Sequence, residues 1–149
     1  MGLVKLASDP VNNPQHYADL FTNKPTQCRA IARLLGFDPG NVIKYCWRAG
    51  NKSKDKTKED LQKAVNYLND WKELYEILMY HDIGNFEAAR VLFAQIEKPD
   101  VINDPFSLRK WDIIRAILSD KTDDYETTFG YIYNCIDSLC VTLTGDRLK

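Results

Sequence analysis

Asp38-Pro39-Gly40-Asn41-Val42-Ile43-Lys44-Tyr45-Cys46-Trp47-Arg48-Ala49-Gly50 reads as one complete helix with both of its ends marked. Asp38 is the expected N-cap, and Pro39 takes the first helical position, where a missing N–H costs nothing. Gly50 is the expected left-handed residue that closes the C-terminal end. Between them, Val42, Ile43, Cys46 and Trp47 form one apolar stripe, which leaves Asn41, Lys44, Tyr45 and Arg48 on a polar one.

The same period of 3.6 continues in both directions. Upstream, Cys28, Ile31, Leu34 and Leu35 keep helical spacing from a start near Pro25 to a stop at Gly36. Residues 1–22, with Pro10, Pro14 and several Asn and Asp, read as an extended arm. Downstream, Thr57-Lys58-Glu59-Asp60 resembles a capping box and opens the longest periodic segment, Leu61 to about His81. His81 is expected to close that helix, where a cation favours the dipole. Asn85 is the expected cap of a fourth helix carrying Phe86, Ala89, Leu92, Phe93 and Ile96. Asp104-Pro105 starts a fifth, with Trp111, Ile114, Ile117 and Leu118 buried. Asp123, Asp124 and Glu126 begin a sixth, which continues through Phe129, Ile132, Ile136 and Leu139. No alternating stretch competes, so the class is all-α: one compact bundle of about six helices with an N-terminal arm. The break near Ile83 to Asn85 divides 1–84 from a further helical segment, 85–149, expected to pack on it as one unit.

Composition narrows the setting. With 44% hydrophobic and 28% charged residues in 149, the chain is ordinary for a globular domain. No apolar run approaches the roughly 20 residues of a membrane span, and the first residues lack a signal-peptide core. The expectation is a cytoplasmic protein, in the host cytoplasm if phage-encoded, without a membrane partner. Four cysteines without a C-x-x-C pair, beside two histidines, read as reduced core thiols rather than a zinc site or a disulfide framework. Residues 44–63 hold seven cationic side chains against three acidic ones, a local excess of +4 in a chain of net charge −1. A positive field so confined suits a small anion better than nucleic acid, which needs a broader basic surface.

Asn41, Lys44, Tyr45 and Arg48 stand at i, i+3, i+4 and i+7, so they share one helix face and can converge on one ligand. Arginine offers phosphate a bidentate fork, lysine a mobile charge, asparagine an amide and tyrosine a hydroxyl with a stacking surface. On this reading Lys44 and Arg48 contact phosphate and contribute little to folding. The competing reading pairs them with Asp60 or Asp70 of the next helix. Asp60, Lys63 and Tyr67 line one face of that helix, Asp60 as cap, proton acceptor or orienting group. Lys52 adds charge. His16 and Tyr17, on the arm, can reach a base or phosphate, and His16 titrates near neutrality.

Three blocks carry a resemblance: Pro14-Gln15-His16-Tyr17, then Gly40 to Lys52, then Glu59-Asp60-Leu61-Gln62-Lys63-Ala64 with Tyr67-Leu68. In this order they resemble a phage domain family long catalogued as of unknown function, over roughly residues 9–72. Its pattern is a P-x-H-Y arm, a G-N-h-h-K-Y-x-x-R helix and a D-L-x-K-A-x-x-Y-L helix. One member is a nucleotide kinase that acts on deoxynucleoside monophosphates without a phosphate loop. The resemblance implies nucleotide handling, with ATP as donor and magnesium if the reaction is phosphoryl transfer. His16 and Asp60 are then the catalytic candidates; His16, Tyr17, Asn41, Lys44, Tyr45, Arg48, Lys52, Lys63 and Tyr67 are the nucleotide-binding set.

Two other readings compete. The same face would serve a non-catalytic sponge for a nucleotide or cyclic nucleotide signal, countering a host defence. Acids at Asp100, Asp104, Asp120, Asp123, Asp124 and Glu126 would serve a protein-interaction module, although they also suit caps. Glu73 and Glu76 make an E-x-x-E pair, a spacing that holds magnesium only opposite a second acidic pair. Phosphate-loop, Rossmann, nucleophile-elbow and H-E-x-x-H patterns are absent from the sequence. A homo-oligomer formed along the long central helix is a further expectation.

Overall fold

The computed structural model describes residues 28–121 and 124–148. Six helices make up the described chain: α1 (Cys28–Ala32), α2 (Phe37–Arg48), α3 (Lys54–Ile77), α4 (Phe86–Phe93), α5 (Pro105–Leu118) and α6 (Tyr125–Thr144). The class is all-α, with no strand among the described residues. The expected arm and the start near Pro25 lie outside them.

α3, 24 residues and about 36 Å long, is the axis of the fold. α2 packs antiparallel on one side of it and α6 on another; α5 lies against α6 and α2, and α4 spans α1 and α5. A single cluster of buried side chains draws on all six helices, including Trp47, Ile43, Leu61, Leu68, Ile114, Ile117, Ile132, Ile136 and Leu139. Two glycines set how closely the corner around α1 closes. A Cβ on Gly40 would stand 2.6 Å from the Ala32 carbonyl oxygen, so α2 meets α1 backbone to backbone there. Gly84, at φ +104°, lies equally close to Leu34 and Leu35, and Asn85 N–H donates to the Leu34 carbonyl at 2.6 Å.

Asn85 and Asp104 cap α4 and α5 as expected, and Asp124, expected among the acids of the last helix's first turn, instead caps α6, each accepting from a backbone N–H three residues on. Several boundaries differ from expectation: α1 ends at Ala32, short of Leu34 and Leu35, and α4 ends at Phe93, short of Ile96. α2 begins at Phe37, so Asp38 sits in its first turn and makes no cap hydrogen bond. α3 begins at Lys54 under Ser53, whose hydroxyl accepts from Lys56 N–H; Thr57 is buried inside the helix and Asp60 is not a cap. α3 also stops at Ile77, because Met79 and Tyr80 turn to positive φ and Tyr80 N–H closes on the Tyr75 carbonyl. His81 is thus exposed beyond the helix end rather than part of its last turn.

Two buried lysines close helix C-termini. Lys110 of α5, 7% exposed, donates to the carbonyls of Trp47 at 2.8 Å and Ala49 at 2.6 Å, where α2 ends. Lys121 donates to the Ile117 and Ser119 carbonyls at the end of α5, and pairs with Asp82 at 3.3 Å. It lies over the Trp71 and Phe86 rings, and burial holds its ammonium below the usual lysine range. A helix C-terminus carries partial negative charge on unpaired carbonyls, so a buried ammonium there is doubly satisfied.

Replacing Lys110 with methionine keeps the aliphatic stem and strands those carbonyls in the core. The expected loss is about 2–4 kcal/mol, a melting drop of roughly 5–15 °C. Urea unfolding checks it, and a loss below about 0.5 kcal/mol would show that the contact is dispensable.

Asp137 accepts from Leu148 N–H at 2.9 Å and from Arg147 Nη2 at 2.8 Å, tying the C-terminal turn back to α6. The Leu148 N–H above all, with the Arg147 guanidinium, holds its carboxyl below the ordinary value of 3.8 against the opposing effect of burial. A depressed folded value means that this stability is present above 3.8 and is lost as pH falls through the folded value. Asp137→Asn should therefore be less stable at neutral pH yet lose less on acidification. Unfolding free energies measured between neutral pH and about pH 3 test the slope.

Candidate functional site

Antiparallel packing of α2 on α3 brings the polar stripe of the first helix against the N-terminal half of the second. Tyr45 stands at the centre. Its ring stacks on Tyr67 at 5.9 Å with an interplanar angle of 10°. Three cations surround it: Lys44 Nζ 4.9 Å, Lys63 Nζ 5.5 Å and the Arg48 guanidinium carbon 5.8 Å from the ring centre. Each position is favourable to a cation over a ring face, and together they concentrate positive charge around one tyrosine. Phe37, 73% exposed, meets the other edge of Tyr67 at 5.5 Å and extends the aromatic surface.

The cations differ in their counter-ions. Lys63 pairs with Glu59 at 3.2 Å, and Glu59 also holds Lys56 at 3.4 Å. Those two ammonium groups keep the Glu59 carboxyl below its ordinary range. Arg48 Nε lies 3.4 Å from Asp60 Oδ2, with side chains 18% and 8% exposed. That separation suits an ion pair, but its direction is wrong for a hydrogen bond, and Nε is left buried with no acceptor. Lys44 makes no ion pair among the described residues. Toward the start of α2, Asp38 lies in the field of Asp70, and burial first, then that like charge, raises its carboxyl above the usual range.

The structure thus joins Lys44, Tyr45, Arg48, Asp60, Lys63 and Tyr67 in one cluster. It does not join all of the expected set. Asn41 turns back on its own helix, its amide donating to the Phe37 carbonyl at 2.8 Å. Lys52 is exposed in the connection between α2 and α3 and makes no contact with the cluster. His16 and Tyr17 lie outside the described residues. The expectation that Arg48 is a surface group with little part in folding is corrected: four-fifths of its side chain is covered, beside a carboxylate more deeply buried still.

Phe37 and Glu59 were not among the sequence candidates. Phe37 stands four residues before Asn41 and eight before Tyr45, on the same stripe, so spacing held the signal. Glu59 precedes Lys63 by four, the orientation that favours an i,i+4 pair.

Other chemistry is closed off. Burial pushes the Cys46 thiol up to about 12 and Cys28 higher, so neither is a nucleophile near neutrality. All four cysteines are free thiols. Glu73 and Glu76 are exposed, and Glu76 accepts from the Tyr125 hydroxyl at 2.7 Å rather than facing a second acidic pair. Among the described residues, surface cavities lie elsewhere: one of 240 Å³ along α5 and α6 beside Arg109 and Cys135, and one of 220 Å³ at the Lys110 contact. No helix among the described residues is long and apolar enough to cross a membrane.

Against known proteins, residues 11–69 match a family profile. It is that of a protein of unknown function, DUF3310. The DUF3310 segment takes in the described α1, all of α2 and α3 as far as Asn69, and so contains every residue of the cluster around Tyr45. No curated protein and no solved structure matches the chain.

The two cations facing Tyr45 from α2 should separate in their effect on folding. Arg48→Ala leaves Asp60 buried without its counter-charge and should cost about 3–5 kcal/mol. Lys44→Ala, which strands nothing, should stay within about 0.5 kcal/mol. Chemical denaturation of both variants decides, and equal losses would contradict the burial difference.

Proposed function

We propose that this protein binds a nucleotide on the α2/α3 face and acts on it as a nucleoside monophosphate kinase that uses no phosphate loop. The observation that carries this reading is the arrangement about Tyr45: three cations within 4.9–5.8 Å of its ring, with Tyr67 stacked alongside. Phosphate oxygens would lie among Lys44, Lys63 and Arg48, where charge-assisted hydrogen bonds are strongest. The base would lie along the aromatic surface toward the exposed Phe37. The family resemblance of the same three sequence blocks to a phage nucleotide kinase supports the choice of reaction.

In phosphoryl transfer most of the catalytic effect comes from holding donor and acceptor in line and neutralising the transferring oxygens. Lys44 and Arg48 would supply that neutralisation, with ATP as donor and magnesium arriving on its phosphates. His16 or Asp60 would be the proton-handling group.

Incubation with ATP and each deoxynucleoside monophosphate should yield a diphosphate. Lys44→Ala should weaken nucleotide binding by about tenfold to hundredfold, the worth of one charge-assisted contact. Turnover no higher than in that variant would refute the kinase. Recovery of tightly bound nucleotide unchanged would leave a binding protein, a sponge for the nucleotide or a cyclic derivative.

A further inference from the structure

The Arg48–Asp60 contact is poorly made for a purely structural ion pair. Charge-assisted N–H···O bonds close to about 2.7–2.9 Å. Here the approach stops at 3.4 Å, and the Nε hydrogen has no acceptor although the atom is fully covered. Asp60 in turn accepts no hydrogen bond among the described residues, despite being 92% buried by its 8% side-chain exposure. A fully covered N–H that faces a carboxylate without bonding to it is costly, since it has given up water for an incomplete replacement. Lys44 and Lys63 approach the same tyrosine ring as Arg48. Among the described residues, Arg48 and Lys63 each pair with a carboxylate and Lys44 does not.

Such a pair is poised for exchange. We propose that Asp60 is a resident counter-anion for Arg48, displaced when a ligand phosphate binds, and that it thereby sets a charge threshold favouring a dianionic phosphate monoester over a monoanionic phosphodiester. The inference rests on the nucleotide reading of this face. Arg48, Lys44 and Lys63 contribute three positive charges, and Asp60 and Glu59 return two negative ones. A monoanion that replaces Asp60 beside Arg48 substitutes one single charge for another and gains little. A phosphate monoester, with its second ionisation near pH 6, carries close to two charges at neutral pH and gains from Lys44 as well. The energetic cost of displacing Asp60 is the same for either ligand; the attraction is not.

The test uses the full chain at about pH 8, where the monoester is dianionic. A deoxynucleoside 5′-monophosphate and its 3′,5′-cyclic counterpart are titrated calorimetrically into wild type and Asp60→Asn. Wild type should prefer the monophosphate by about tenfold or more, and Asp60→Asn should bind that monophosphate about tenfold more tightly than wild type while melting at a lower temperature. Weaker monophosphate binding by Asp60→Asn would show that Asp60 orients Arg48 and would overturn the proposal. So would equal wild-type affinity for the two ligands. If Asp60→Asn does not fold, the wild-type Arg48 Nε–H resonance, assigned by its loss in Arg48→Lys, gives the same answer. It should shift on saturation with monophosphate, and a resonance that stays fixed while the Lys44 amide moves would exclude exchange. No binding of either nucleotide by wild type would refute the nucleotide reading itself, an outcome distinct from binding without exchange.

Discussion

The ammonium of Lys110, held on the carbonyls of Trp47 and Ala49, fixes the point from which everything else in this protein is positioned. Arg48 is the residue between those two carbonyls, so its backbone is clamped from behind by α5 while its side chain faces α3. The helix end carries partial negative charge and would otherwise be buried with unpaired acceptors. One lysine resolves that problem and, in doing so, binds the C-terminal helices to the segment that matches the DUF3310 profile. Lys121 repeats the device at the end of α5, where Asp82 and the Trp71 indole complete its surroundings.

Given that anchor, the α2/α3 face combines two demands that usually separate. Val42, Ile43, Cys46 and Trp47 are fully in the core, and the opposite stripe carries cations packed around Tyr45. Arg48 belongs to both. Its aliphatic stem and Nε are covered, yet its guanidinium stays within reach of the ring that Lys44 and Lys63 also approach. A residue so placed links the charged face to fold stability, because any change in its partner changes how well Asp60 is compensated.

The aromatic groups divide in the same manner. Trp71, Tyr75, Phe86 and Phe129 pack against one another inside the bundle, Trp71 edge to face on Phe129 and stacked on Phe86, with the Tyr75 hydroxyl satisfied by the Lys121 carbonyl. Tyr45, Tyr67 and Phe37 instead run along the outside of α2 and α3, partly exposed and flanked by charge. The interior set has no free polar edge left to offer. The outer set stays partly exposed, its rings packed on one another and approached by Lys44, Arg48 and Lys63.

Much of this was legible from local chemistry. The period of Val42, Ile43, Cys46 and Trp47 defined a helix and its buried side, and Asn85 and Asp104 announced the helices they cap, since capping involves only residues three positions apart. The shared stripe of Lys44, Tyr45 and Arg48 was likewise a matter of spacing. Where two local signals competed, sequence misjudged the outcome: Ser53 took the cap that Thr57 could have held, and Gly36 and Phe37 began the helix ahead of Asp38. The tertiary structure alone decided which charges meet. Asp60 reaches Arg48 because α2 and α3 lie antiparallel in one register, and Lys110 reaches Trp47 across 63 positions of chain. Burial and ion pairing depend on what lands opposite a side chain once the helices pack, and no periodicity along a single helix carries that information.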